Sequence, residues 1–220
     1  MHAFFDIHTH HPTGNPGVSE MENLRFGQTP SGKTQHYSAG LHPWFLEASE
    51  LESAKKWLDQ LAAMPHVLAI GEAGLDKVCN TDWALQEAAF RHCIQVAETM
   101  GKPLIIHCVR AFNEVILIKK QLKPVQPWIF HGFNKHPDTA RMLLKEGCFL
   151  SFGAALLKPG NHSAEALQLT PDDRFFLETD DAAEIDIVDI YKKAALLRGV
   201  SLEQLKEVVA GNVRNVSRES

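Results

Sequence analysis

Beyond residue 66 the chain alternates short apolar runs with longer amphipathic stretches, and this alternation restricts the possible folds more than any other feature. The runs are VLAI (67–70), PLII (103–106), PWIF (127–130), CFLSF (148–152) and RFFL (174–177). Segments of helical character cover 51–64, 82–101, 111–122, 136–147, 162–169, 185–199 and 201–213. Several end as helices do, with Gly101, Gly147 or Gly199 at or just past the last turn. Ser201 with Gln204 has the spacing of a capping box ahead of the final helix. Short buried strands alternating with helices imply βαβ units and a parallel sheet.

The N-terminal quarter is different. After His11 the chain is rich in Pro, Gly and small polar residues and shows no helical period. A loop, a weak strand, a second loop and a firmer strand account for it. Counted this way, strands are expected at about 3–7, 22–26, 36–41, 67–71, 103–107, 127–131, 148–152 and 174–178. Eight strands with helices between most of them predict an α/β fold, a TIM-type (β/α)₈ barrel with the first two βα units shortened. The missing early helices explain a length of 220 residues, below the ~250 typical of such barrels. The rival, an open doubly wound sheet, is disfavoured because no Gly-rich phosphate loop follows a first strand. With no repeat and no long linker, residues 1–220 read as a single domain.

Composition excludes some function classes. The net charge of −5 gives no broad basic surface, so an anionic substrate must be held by a local site or a metal. Cys79, Cys93, Cys108 and Cys148 form no CxxC pair and read as reduced thiols. The opening MHAFFDIHTH lacks the regions of a signal peptide. No apolar run approaches the ~18 residues of a membrane span. A cytoplasmic protein with no membrane partner is expected. Twelve histidines are the outlier.

Their position is more informative than their number. A histidine or carboxylate follows the apolar run repeatedly: FFDIHTH, VLAIGE, PLIIH, PWIFH and RFFLETD. In a parallel barrel the C-terminal strand ends share one face. His8, His10, Glu72, His107, His131 and Asp180 are therefore expected to converge there. Singly, each has an ordinary structural explanation: a hydrogen-bonded histidine, or a carboxylate capping the next helix. Five corresponding positions together favour a metal site. Imidazole nitrogen and carboxylate oxygen suit zinc, manganese or iron, and carboxylates also suit magnesium. Six ligands exceed the needs of one catalytic zinc, so a pair of divalent ions sharing a carboxylate is inferred. Such a pair activates water and clamps charge on a substrate oxygen, which is hydrolytic chemistry. The other histidines, His2, His11, His36, His66, His92, His136 and His162, are expected to be structural or at the surface.

From residue 4 to about 216 the chain resembles the TatD family of metal-dependent hydrolases, within the amidohydrolase-like barrels. The motifs are the DxHxH start (Asp6, His8, His10), GLHPW (40–44), AIGEAGLD (69–76), PLIIHCVRA (103–111), FHGF (130–133) and LETD (177–180), with Asn212 in the last helix. The resemblance implies that His8, His10, Glu72 and Asp180 hold one ion. It further implies that Glu72 bridges to a second ion completed by His107 and His131, and that the activity is that of a deoxyribonuclease, often 3′–5′ exonucleolytic. The motifs depart from the family at the mouth. Arg110 stands one residue further from His107 than in the family's His-Ser-Arg turn. Lys135 occupies a common glycine position, and Asp181-Ala182 follows the ETD.

Roles follow as expectations. Asp180, with Glu72, is the catalytic candidate, orienting or deprotonating a water. Asp6 is expected behind the metal ligands, holding the other nitrogen of a histidine. His42, Arg110, Lys135 and Lys158 are candidate substrate contacts, and Trp44 and Phe45 are expected either to stack on a base or to cover the barrel rim, the rim being the favoured reading. Three functions stay open: a phosphodiesterase acting on nucleic acid ends or small phosphoesters, a small-molecule amidohydrolase or lactonase, and a non-catalytic metal-binding protein.

Overall fold

The computed structural model describes residues 4–217, so His2 and the first residue of the first expected strand lie outside the described residues. The strands are β1 (Phe4–Thr9), β2 (Val18–Leu24), β3 (His36–Ala39), β4 (Val67–Asp76), β5 (Leu104–Val109), β6 (Trp128–Phe130), β7 (Phe149–Phe152) and β8 (Phe175–Leu177). The helices are α1 (Leu51–Ala62), α2 (Trp83–Met100), α3 (Phe112–Leu122), α4 (Pro137–Lys145), α5 (Ser163–Leu169), α6 (Ile187–Arg198) and α7 (Leu202–Val216). All eight strands join one sheet in the order β1 to β8. Thr9 of β1 makes a parallel bridge to Asp180, just past β8. This is the (β/α)₈ arrangement that the alternation predicts. Among the described residues no α-helix follows β1 or β2 before the next strand, so the early units are short as expected.

By contact density the chain divides into two compact units. The first comprises residues 1–22, 32–35 and 130–220, and the second residues 23–31 and 36–129. In the first unit, α6 and α7 cover apolar side chains of β1 and β8. Phe175, Phe176, Ile190, Tyr191 and Val209 are fully buried. The Tyr191 hydroxyl donates to the Phe5 carbonyl (3.0 Å) and accepts from the Phe5 N–H (3.1 Å), pinning α6 to β1. Asn212 Nδ2 donates to the carbonyls of Asp172 (2.7 Å) and Phe175 (2.9 Å), which fixes the start of β8. In the second unit Leu58, Ile70, Phe90, Leu104 and Trp128 form the buried centre, with Phe90 and Trp128 edge to face at 5.7 Å.

The helix ends are set by the residues that the sequence marks. Asp82 accepts from Leu85 N–H at the start of α2, and Gly101 closes it in the left-handed conformation. The Ser201–Gln204 capping box opens α7 as expected. Two strands differ from expectation. β2 begins at Val18 rather than 22, because the buried carboxylate of Glu20 gathers the N–H groups of Thr13 and Gly14 (both 2.9 Å) and orders the segment. β4 runs on to Asp76, six residues past its apolar run, since Gly71 and Gly74 let β5 approach without a Cβ between.

No helix among the described residues is long and apolar enough to cross a membrane. All four cysteines are free thiols, as expected.

Candidate metal centres

In the first unit the alternation of β1 turns Asp6 and His8 to one side, both buried. Asp180 sits beyond β8 with φ 56°, the left-handed region. Its N–H donates to the His8 carbonyl (2.9 Å) and its carbonyl accepts from His10 N–H (3.0 Å). Locked this way, Asp180 Oδ1 lies 3.6 Å from His8 Nε2 and 3.7 Å from His10 Nε2. His131, following β6, has its ring centroid 4.7 Å from that of His8. One ligand atom each from His8, His131 and Asp180 lie within 4.8 Å of one another.

Two carboxylates stand behind this cluster. The bonds seen for Asp6 go not to a histidine ring, as expected, but to the Thr179 N–H (3.0 Å), the Thr179 hydroxyl (2.6 Å) and the His8 N–H (3.4 Å). Asp6 thus fixes the turn that carries Asp180. Burial, its hydrogen bonds notwithstanding, pushes its carboxyl up to about 7. Glu178, fully buried, is a residue that sequence reasoning passed over. Its Oε1 accepts from Gly132 N–H and lies 3.5 Å from His131 Nδ1, and its Oε2 is buried without a hydrogen-bond partner. The signal was present in LETD, where Glu178 directly follows β8 two positions before Asp180.

The second unit holds another cluster, of His42, Glu72 and His107, all buried and within 4.8 Å by one ligand atom each. Glu72 Oε1 is 2.7 Å from His107 Nδ1 and 3.0 Å from His42 Nε2. Asp76, also missed, meets the other ring nitrogen of His107 at 3.1 Å. It lies on β4 four residues past Glu72 with Gly74 between, so strand alternation alone places both carboxylates on one face. Burial raises the Asp76 carboxyl, but hydrogen bonds from Trp44, His107 and Val78 together outweigh that and hold it below the usual carboxylate range. A carboxylate on the outer nitrogen leaves the inner one as the metal-facing atom.

His42, expected as a substrate contact, packs directly into this cluster. Its Nδ1 accepts from Trp44 N–H (3.1 Å), so in the neutral ring the proton sits on Nε2, which faces Glu72. His42 is therefore a hydrogen-bond donor at the cluster's edge. Arg110 is exposed in the left-handed conformation past β5. In the first unit a cavity of about 640 Å³ is lined by Asn134, Lys158, Asn161, Glu178, Asp180 and Asp181 among others. Lys158, not Lys135, supplies its cation. Of the remaining described histidines, His11 pairs with Asp181 (2.9 Å), His36 opens β3, His66 is exposed just before β4, His92 lies in α2, His136 caps α4 and His162 precedes α5.

A (β/α)₈ fold with histidines and carboxylates gathered at its strand ends defines a hydrolase-type barrel of the metal-dependent class. The chain belongs to the TatD related DNase family, whose family model matches residues 15–218. It is 35% identical over 146 residues to an uncharacterized metal-dependent hydrolase of Buchnera aphidicola, a match covering 65% of this chain and 54% of that protein. It is 32% identical over 148 residues to the 3′-5′ ssDNA/RNA exonuclease TatD of Musicola paradisiaca, covering 65% and 55%. The matched region thus spans about half the length of these two curated relatives. The crystal structure of YJJV, a TatD homologue from Escherichia coli K12, superposes with a TM-score of 0.84 at 17% identity, covering 97% of both chains.

Proposed function

We propose that this chain is a cytoplasmic, metal-dependent phosphodiesterase that trims single-stranded nucleic acid from the 3′ end. The observation that carries this reading is the pair of histidine–carboxylate clusters, one buried and one opening to solvent at Asp180, whose donor atoms match what zinc, manganese or magnesium require. Family membership and the exonuclease relative support it. His8, His10, His131 and Asp180 would hold one ion, and Glu72 with His107 a second. Bound divalent ions lower the pKa of water toward neutrality and neutralise charge on a phosphoryl oxygen.

The chain's own groups do the rest. Asp180, locked by its two backbone bonds, takes the proton of the attacking water. The His42 Nε2–H points at Glu72 Oε1, 3.0 Å away, and is suited to orienting that carboxylate. Lys158 faces the cavity that Asp180 also lines and is suited to a phosphate there.

A substrate panel tests this: single-stranded DNA, model phosphodiesters, lactones and cyclic amides, each with magnesium, manganese or zinc and again with chelator. The expected result is metal-dependent shortening of the DNA from its 3′ end. Hydrolysis of lactones and amides alone would select the amidohydrolase reading instead.

Glu178 gives a second test. Its place behind His131 is that of a carboxylate orienting a metal-binding imidazole. Glu178→Ala is expected to weaken metal binding by about 10–100-fold by calorimetry, with Glu178→Gln weakening it less because the amide oxygen still accepts. Equal affinities for wild type and the Ala variant would remove Glu178 from that role.

A further inference from the structure

Trp44 and Phe45 are aromatic rings open to solvent. They are 57% and 47% exposed, although they adjoin the buried cluster of His42, Glu72 and His107. Water-exposed aromatic surface forgoes the stabilisation that burial provides, so two such rings side by side call for an occupant.

The Trp44 ring is also held rigidly. Its Nε1–H donates to Asp76 Oδ2 at 2.6 Å, and the same oxygen is 3.1 Å from His107 Nε2. The indole is therefore tied through one carboxylate atom to a candidate metal ligand. His42 and His107 meet it nearly at right angles, 83° and 78°, with centroids 5.1 and 5.5 Å away, and so do not stack on it. Beside it Phe45 carries the Arg25 guanidinium 4.6 Å from its centroid, which puts positive charge next to the aromatic surface. The crevice behind Phe45 holds about 10 Å³, room for one water at most. A planar ligand has no way under the Phe45 ring, and the exposed surface of Trp44 beside it is where such a ligand would lie.

We infer that Trp44, with Phe45 beside it, is a stacking platform for an unpaired nucleobase of the substrate. The inference rests on the nuclease reading above and specifies which part of the substrate is gripped. Bases stack on aromatic side chains whatever their sequence, and a ring fixed in advance loses little entropy on binding. The Arg25 guanidinium favours a base carrying its phosphate over a neutral apolar ligand.

The test compares an oligothymidine with an abasic oligomer of equal length, using wild type, Trp44→Leu and Trp44→Phe. Hydrolysis and tryptophan fluorescence quenching are both recorded, the latter with phosphorothioate-linked strands that resist cleavage. Trp44→Leu is expected to lose about 10-fold in kcat/KM on oligothymidine and little on the abasic strand. Trp44→Phe, which also lacks the bond to Asp76 but keeps a ring, is expected to retain most of the wild-type preference. Oligothymidine is expected to quench wild type more than the abasic strand does, and to lose that difference in Trp44→Phe. Equal losses by Trp44→Leu on both strands, or DNA hydrolysis without base-dependent quenching, would overturn the platform and leave the nuclease reading standing. Base-dependent quenching without hydrolysis would overturn the nuclease reading and keep the platform. Absence of both would overturn both.

Discussion

Asp180→Asn is expected to lower the turnover of single-stranded DNA by about 10²–10⁴-fold while leaving the fold intact. The left-handed backbone at Asp180 makes this substitution unusually clean, because asparagine is among the few residues that adopt that conformation readily. The N–H and carbonyl that tie residue 180 to His8 and His10 belong to the main chain and survive the exchange. What is lost is one negative charge and the capacity to take a proton, next to two imidazoles less than 4 Å away. Single-turnover hydrolysis, metal content of the purified variant and thermal melting together separate these effects. A melting temperature near that of wild type with activity down by orders of magnitude is the predicted combination. Activity within about threefold of wild type would take Asp180 out of the chemistry, since a general base contributes far more than that.

The candidate ligands were legible because each follows a buried run at a strand end, and a parallel sheet brings those ends to one face. His8, His107, His131 and Asp180 needed only that rule. The groups behind them were not legible for a physical reason. Asp76 shares a strand face with Glu72, and Glu178 directly follows β8 beside Asp180, but a carboxylate that supports and one that ligates look alike in sequence. Only the partner atoms distinguish them: Gly132 N–H for Glu178, Trp44 Nε1 for Asp76. Asp6 shows the same limit in reverse. Its position predicted a carboxylate behind a histidine, yet Thr179, far away in sequence, takes its oxygens. The fold was legible in its helices, whose caps are local, and less so in β2 and β4. There polar residues or glycines continue the strand where the apolar signal has stopped.

Gly74→Ala is expected to cost roughly 3 kcal/mol or more of stability, and a fall in Tm of roughly 10 °C. Gly74 pairs with His107 across β4 and β5, and a Cβ there would run into the His107 carbonyl oxygen. That oxygen is backbone within a buried strand, so it has no rotamer by which to yield. Gly101, at the end of α2, provides the control. It also has a positive φ, but nothing lies within 4 Å of where its Cβ would be. Gly101→Ala should therefore cost only about 1 kcal/mol, the strain of a left-handed residue. The difference between the two variants isolates close approach from backbone preference. Gly74→Ala should also displace His107 from Glu72 and Asp76, so whatever protein folds is expected to bind less metal than Gly101→Ala. Melting temperatures that match in the two alanine variants would show that the approach of β5 to β4 is not what requires glycine at position 74.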